Sequence, residues 1–325
     1  MKGIRFLLAW FALGAPVVAV AAEGGSRPVH TYSIVARDPA SGELGVAVQS
    51  HWFSVGAVVT WGEAGVGVVA TQSFAEISYG PLGLDLMRSG KTAGQALAAL
   101  LAADLHPEVR QVAMVDRHGN VAVHTGSACI AAAGHHQGEQ YSAQANLMER
   151  DTVWDAMAAA FEASPGDLTD RLLAALDAGQ AEGGDIRGSQ SAALLVVPGE
   201  TAGAPWRERL VDLRVEDHPQ PLAELRRLVQ VHRAYERMNA GDERLAEGDA
   251  AGALAEYSAA AALAPDNVEI RFWQAVTLAQ GGRIEDALPI FQEVFAREPR
   301  WREVTRRLPA AGQLDAALLP KILAE

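Results

Sequence analysis

Thr31 is the residue of this chain best placed to serve as a nucleophile. It opens the run Thr31-Tyr-Ser-Ile-Val-Ala-Arg37, rich in β-branched and small residues. A second run, Glu43-Leu-Gly-Val-Ala-Val-Gln-Ser50, follows the turn formers Asp38-Pro39-Ala40-Ser41-Gly42. Two such runs across a short turn predict a β-hairpin. With Asp38 facing Gly42, the register pairs Arg37 with Glu43, an opposite-charge contact, and Thr31 with Gln49. Gln49, Ser50 and His51 then stand beside the Thr31 hydroxyl. A threonine hydroxyl attacks an amide carbonyl when a base takes its proton, and a free α-amino group on the same residue, with a pKa near ~8, can be that base. Backbone N–H groups and a side-chain amide would stabilise the resulting oxyanion. This chemistry needs the His30–Thr31 bond to be cut. Uncut, the amine is an amide, and Thr31 is simply a good strand residue.

Other polar residues surround this candidate in sequence. Gln72 and Ser73 end an apolar run, while Gln144 and Asn146 lie in a polar stretch. Their side chains suit a carbonyl or amide ligand and equally suit turn capping. Asp185 and Arg187 sit in the glycine-rich segment Glu182–Gln190 that enters the apolar run Ser191–Val197. An unpaired charge there would be costly, so the two pair with each other or Arg187 grips a carboxylate bidentately. Cys129 with His135 and His136 makes a poor metal or cysteine-hydrolase set. Adjacent histidines lack zinc-ligand spacing and point oppositely on a strand, so an inert buried cysteine is the favoured reading. There is no HExxH, GxSxG or phosphate loop, and neither a metal nor a cofactor is expected.

The elements that would position these residues follow in order. Strands are predicted over Val55–Trp61 and Gly65–Ala70, then helical pieces from about residue 79 divided by Gly90. Val109–Val115 and Val121–Thr125 flank Asp116-Arg-His-Gly-Asn120 as a second hairpin. Residues 126–149 read as an irregular polar loop. Helices at about 151–163 and 167–179 precede strands at Ser191–Val197 and Arg209–Val215. Strands, helices, strands, helices, strands make an α+β fold with two sheets.

Residues 1–22 carry Lys2 and Arg5, an apolar run from Phe6 to Val20 and a small-x-small site at Ala19-Val20-Ala21. That is the pattern of a cleavable signal peptide, placing the mature protein in the periplasm or outside the cell, with no membrane span after cleavage. Residues 23–30 read as a short tether or propeptide. The net charge of −13, with lysine only at positions 2, 91 and 321, argues against nucleic acid. The single cysteine excludes an internal disulfide.

His218-Pro-Gln-Pro221 marks a boundary, and everything beyond it reads as helical. Gly241, Gly248, Ala253, Tyr257 and Pro265 match Ala275, Gly282, Ala287, Phe291 and Pro299, each pair 34 residues apart. The period resembles the tetratricopeptide repeat at roughly two copies, with Leu222–Arg233 and Trp301–Glu325 as caps. Such a module implies a protein or peptide partner; a rigid appendage is the alternative. A homo-oligomer is compatible with either.

Residues 31–198 resemble the DUF1028 family. The likeness rests on Thr31–Gln49, Gly65–Ser73, Tyr79–Gly83, Tyr141–Gln144 with Asn146, and Gly183–Val197. Members often open Met-Thr-(Phe/Tyr)-Ser-Ile, so loss of Met leaves threonine first. The resemblance implies a four-layer αββα sandwich like that of the N-terminal-nucleophile hydrolases. On it, residues 31–218 form the hydrolase-like domain and 219–325 an all-α repeat domain. Two readings stand. One is an exported amide-bond hydrolase acting on a small amide or peptide-like substrate, with Thr31 catalytic and Gln49, His51, Gln72, Ser73, Gln144, Asn146, Asp185 and Arg187 around the substrate. The other is a catalytically inactive periplasmic binding or scaffolding protein on the same fold.

Overall fold

The computed structural model describes residues 29–324. The signal-peptide segment and most of the expected tether lie outside them. In chain order the elements begin β1 (Thr31–Arg37), β2 (Leu44–Ser50), α1 (Gly56–Val59), β3 (Thr60–Glu63), β4 (Gly67–Ser73), α2 (Tyr79–Arg88) and α3 (Ala93–Ala103). Then come β5 (Arg110–Asp116), β6 (Val121–Thr125), β7 (Gly134–Gly138), β8 (Tyr141–Ala145), α4 (Val153–Ala163), α5 (Leu168–Ala181), β9 (Ser191–Val197) and β10 (Val211–Val215). The remainder is helical: α6 (Pro221–Ala246), α7 (Ala250–Leu263), α8 (Val268–Gln280), α9 (Ile284–Arg297), α10 (Trp301–Arg307) and α11 (Leu319–Ile322).

The strands form two sheets, one of order β10-β9-β2-β1-β8-β7 and one of order β3-β4-β5-β6, with every named pairing antiparallel. Side chains alternate between faces, so each sheet serves two cores. Tyr32, Ile34, Ala143 and Leu194 pack with Met157, Phe161, Leu172 and Leu176 of α4 and α5. Val35, Val46, Val48 and Leu195 of the larger sheet meet Val68, Ala70, Ala113 and Val115 of the smaller. Val69, Val112 and Met114 face Leu84, Met87 and Leu97 of α2 and α3. Burying each such side chain stabilises the fold by about 1.5–3 kcal/mol.

The helices are closed by local chemistry. Thr92 and Gln95 make a reciprocal capping box at α3, and the Asp167 carboxylate accepts from the Asp170 N–H at the start of α5 (2.9 Å). Val55–Trp61, expected as a strand, divides into the single helical turn α1 and the start of β3.

Two differences from the sequence reading are larger. The first hairpin pairs Thr31 with Ser50 and Arg37 with Leu44, one residue away from the expected register. The cause is a turn one residue longer. Asp38 N–H donates to the Glu43 carbonyl (2.8 Å) and Gly42 N–H to the Asp38 carbonyl (2.8 Å), with Gly42 in the left-handed region at φ 79°. A slip of one residue exchanges the faces, so Ser50 joins Thr31 between the sheets and Gln49 joins Tyr32 on the helix side.

Residues 134–145 are not a loop but the strands β7 and β8. In β8, Tyr141, Ala143 and Ala145 face the helices, while Ser142 and Gln144 lie on the opposite face, buried. The alternation of β8 spans only five residues and its apolar members include two alanines, so within a stretch dense in polar residues it reads as loop.

The repeat region also departs in one respect. The expected cap Leu222–Arg233 is the first half of one 26-residue helix, α6. Its Leu222, Leu225 and Val229 enter the core beneath the larger sheet, while Ala234 and Met238 pack with Tyr257 and Ile270 of the repeats. At the other end Trp301, Leu308, Leu314 and Ile322 close the core of α8 and α9. Gly241 lies where a Cβ would meet the Tyr257 ring at 3.2 Å, which accounts for a small residue at this repeat position. Among the described residues no helix is long and apolar enough to cross a membrane.

Candidate functional site

Thr31 begins β1 at the end where the two sheets exchange polar groups. It is fully buried, and its hydroxyl lies within hydrogen-bond reach of the Val29 carbonyl (3.0 Å) and of Ser50 Oγ (3.1 Å). Ser50 Oγ in turn donates to the carbonyl of His30, and Arg187 Nη2 donates to the same oxygen at 2.9 Å. The carbonyl of the His30–Thr31 peptide bond is thus held by a hydroxyl and a guanidinium, beside the Thr31 hydroxyl.

Arg187 is fixed by Asp185. Its Nε donates to Asp185 Oδ1 (3.0 Å) and its Nη2 to Asp185 Oδ2 (2.7 Å), a bidentate pair. Asp185 also accepts from the His51 N–H (3.1 Å) and the Arg187 N–H (2.9 Å), so its buried charge has four donors. The expected pairing of Asp185 with Arg187 therefore holds, and Arg187 Nη2 has a second N–H left for the His30 carbonyl.

Below Thr31 lies a layer of amides. Gln72 and Gln111 face each other across β4 and β5, and Gln72 Nε2 donates to Gln111 Oε1 (2.7 Å) and to the Thr31 carbonyl (3.3 Å). Ser33 Oγ donates to Gln72 Oε1 (2.6 Å), and Gln144 Nε2 donates to Ser33 Oγ (2.6 Å). Asn146 Nδ2 reaches Gln111 Oε1 (2.9 Å), while its Oδ1 takes the His30 Nδ1 contact at 3.0 Å. Gln111 Nε2 closes the layer on Thr125 Oγ1 and on the carbonyls of Gly134 and Ala145, at 2.9 to 3.1 Å. Burying this many polar groups is tolerable because nearly all find partners. Those left over are Gln144 Oε1 here and the hydroxyls of Ser73 and Ser142.

The chain before Thr31 is part of this arrangement. Val29 and Ser73 form an antiparallel bridge, Val29 N–H donating to the Ser73 carbonyl and Ser73 N–H returning to Val29 (2.9 Å). His30 is 4% exposed. Burial, with a smaller push from Arg187, holds its imidazole below the usual histidine pKa, opposed by the Asn146 contact and by Asp185. These last two residues of the expected tether are therefore ordered and buried.

The expected site residues divide accordingly. Thr31, Gln72, Ser73, Gln144, Asn146, Asp185 and Arg187 come together. Gln49 does not: it is buried on the other face of the sheet, and both its amide atoms lack a partner. His51 is exposed and contributes its backbone N–H. Ser50, expected beside the Thr31 hydroxyl, does bond it, and Gln111, Ser33 and His30 join the cluster although the sequence reading did not single them out as site residues. The correct hairpin register alone would have exchanged Gln49 for Ser50. His135 turns to Thr125 Oγ1 (2.8 Å), His136 to Asp155 (2.8 Å), and Cys129 Sγ to the Arg110 carbonyl (3.4 Å), with burial pushing the thiol pKa up. Among the described residues no three His, Cys, Asp or Glu side chains are placed to hold a metal ion. A cleft of about 630 Å³ lies at the turn end of the first hairpin, lined by Arg37, Glu43, Arg117 and His118, far along β1 from Thr31.

In its chemistry the cluster offers a nucleophilic hydroxyl and two donors on the neighbouring carbonyl oxygen, but no carboxylate or imidazole bonded to that hydroxyl.

Comparison with known proteins gives three results. Residues 31–225 match the model of a family of unknown function, DUF1028, and residues 244–308 match a tetratricopeptide repeat model. A crystal structure of a DUF1028-family protein from Silicibacter pomeroyi is similar at 33% identity and a TM-score of 0.56, over 62% of this chain and 88% of that one. No curated protein matches.

Proposed function

We propose, from the premise that this chain belongs to the DUF1028 family, that it is an amide-bond hydrolase held latent by its own uncut chain. The two facing sheets with helices outside each are read as the four-layer αββα sandwich of the N-terminal-nucleophile hydrolases. Export through residues 1–22 is part of the same proposal.

The observation that carries it is the His30 carbonyl, gripped by Ser50 Oγ and Arg187 Nη2 beside the Thr31 hydroxyl. Donors fixed around a carbonyl oxygen stabilise the negative charge it gains when attacked. With Thr31 first in the chain, its α-amine takes the hydroxyl proton as Oγ1 attacks a substrate amide carbon. The C–N bond then breaks, the proton passes to the leaving amine, and an ester to Thr31 remains. Water, activated by the same amine, hydrolyses that ester and restores the hydroxyl. Asn146 and Gln72 hold the polar parts of a small amide or peptide-like substrate.

A chain beginning at Thr31 and the full-length chain, each given a panel of peptide and small-molecule amides, test this by the amine released. Activity is expected only in the former and only with threonine at position 31. A folded Thr31 chain that releases no amine across the panel contradicts the proposal.

One observation favours a second reading. The Thr31 hydroxyl is wholly buried with acceptors already in place, which suits a silent sandwich. The tetratricopeptide repeats, a kind of module that presents a surface to protein partners, would then carry the function. Pull-downs with and without residues 220–325 distinguish a partner-binding surface from an appendage.

A further inference from the structure

Val29 and His30 are held at Thr31 by more than chain connectivity. Val29 exchanges both backbone hydrogen bonds with Ser73, the way an added strand docks on a sheet. Ser73 ends β4 at φ 70°, a left-handed conformation uncommon for serine, and in it both its N–H and its C=O meet the incoming backbone. One residue on, the His30 carbonyl sits between Ser50 and Arg187, and the His30 ring reaches Asn146. Among the described residues every strand and helix lies after these two, so removing them subtracts none of those elements. Arg187, with its side chain 30% exposed, connects this place to solvent.

We propose that Val29 and His30 occupy the acyl half of the site as a substrate does, so that the opened site takes an extended peptide. The peptide's last-but-one residue pairs its backbone with Ser73. Its last residue sets a neutral side chain against Asn146 and its terminal carbonyl against Ser50 and Arg187. A neutral last side chain follows from the surroundings. Burial disfavours a charge there, and the Arg187 guanidinium, offset in part by its partner Asp185, adds to the cost of a cation. The assignment rests on the latent-hydrolase reading only for what happens to the carbonyl after docking.

The probe is N-acetyl-Arg-Pro-Val-His with a free carboxylate, titrated calorimetrically into the chain beginning at Thr31 and into the full-length chain. Binding is expected to the first and not to the second, whose site is filled. Proline in place of the peptide's valine removes the N–H that Ser73 accepts and is expected to weaken binding about tenfold. Lysine in place of its histidine is expected to weaken it at least as much. Should the Thr31 chain be too unstable to titrate, the matched peptide is expected to raise its Tm on refolding while a scrambled one does not. Equal effects of matched and scrambled peptides, or equal binding to the full-length chain, overturn the inference. Docking without amine release from the corresponding peptide amide leaves the inference standing and removes the hydrolase reading. Release from small amides with no preference for Val-His does the reverse.

Discussion

The layer between the two sheets has two unlike ends. At one, Val35, Val46, Val48, Val68, Val115 and Leu195 make an ordinary apolar core. At the other, Thr31, Ser33, Gln72, Gln111, Gln144 and Asn146 fill the same kind of space with hydroxyls and amides, all fully buried. Both ends separate the same sheets, so sheet packing does not require the polar one. Apolar side chains would hold the sheets without the desolvation that buried amides cost. What the polar end gains is fixed direction: its amides and hydroxyls bond one another and the Thr31 carbonyl, next to the peptide bond whose His30 carbonyl Ser50 and Arg187 hold.

The comparison is broken most directly at Gln111, whose amide serves three acceptors and whose oxygen takes Gln72 and Asn146. Q111A strands several buried groups at once and is expected to cost about 4 kcal/mol in urea unfolding. V46A, at the apolar end, only leaves a cavity and is expected to cost about 2 kcal/mol. Equal costs would mean that the polar end is ordinary core. S142A sharpens the contrast from the other side. Ser142 Oγ is buried beside Val35 with no partner, so its loss should leave stability unchanged or raise it by about 1 kcal/mol.

The smallest effect concerns pH. The folded pKa of His30 lies below its unfolded value near ~6.5, so the unfolded chain binds the proton more readily. The stabilisation is complete above that unfolded value and is lost as pH falls from it through the folded pKa. H30Q should flatten this loss in melting curves recorded from pH 7 downward. His135, also held below its usual range by burial, should leave a residual slope.

Much of the fold is legible in the residues, because β-branched runs, turn formers and a 34-residue period are local signals. The α+β class with two sheets, the helices α2 to α5 and the repeat helices α7 to α9 all follow from them. The register of the first hairpin does not. Asp38 can face either Gly42 or Glu43, and the salt bridge expected from Arg37 and Glu43 favours the wrong choice. That single step puts Gln49 opposite Thr31, whereas in the structure Ser50 stands there and Gln49 lies on the helix side. Strands β7 and β8 escape for a related reason: Ser142 and Gln144 are polar yet fully buried, and local sequence records polarity, not burial. His30 could be valued only once its carbonyl was seen between Ser50 and Arg187. Helix α6 runs through the boundary at residues 218–221 into the repeats because Leu222, Leu225 and Val229 have a core of their own beneath the larger sheet.

The central claim is that the His30–Thr31 bond closes the site and that its loss opens it. N-terminal sequencing with intact mass, on material fractionated by amidase activity, tests it most directly. The account predicts that the active fraction begins at Thr31 and that the fraction retaining Val29 and His30 is inert. Full activity in a chain that still begins at Ala22 or Glu23 would contradict it.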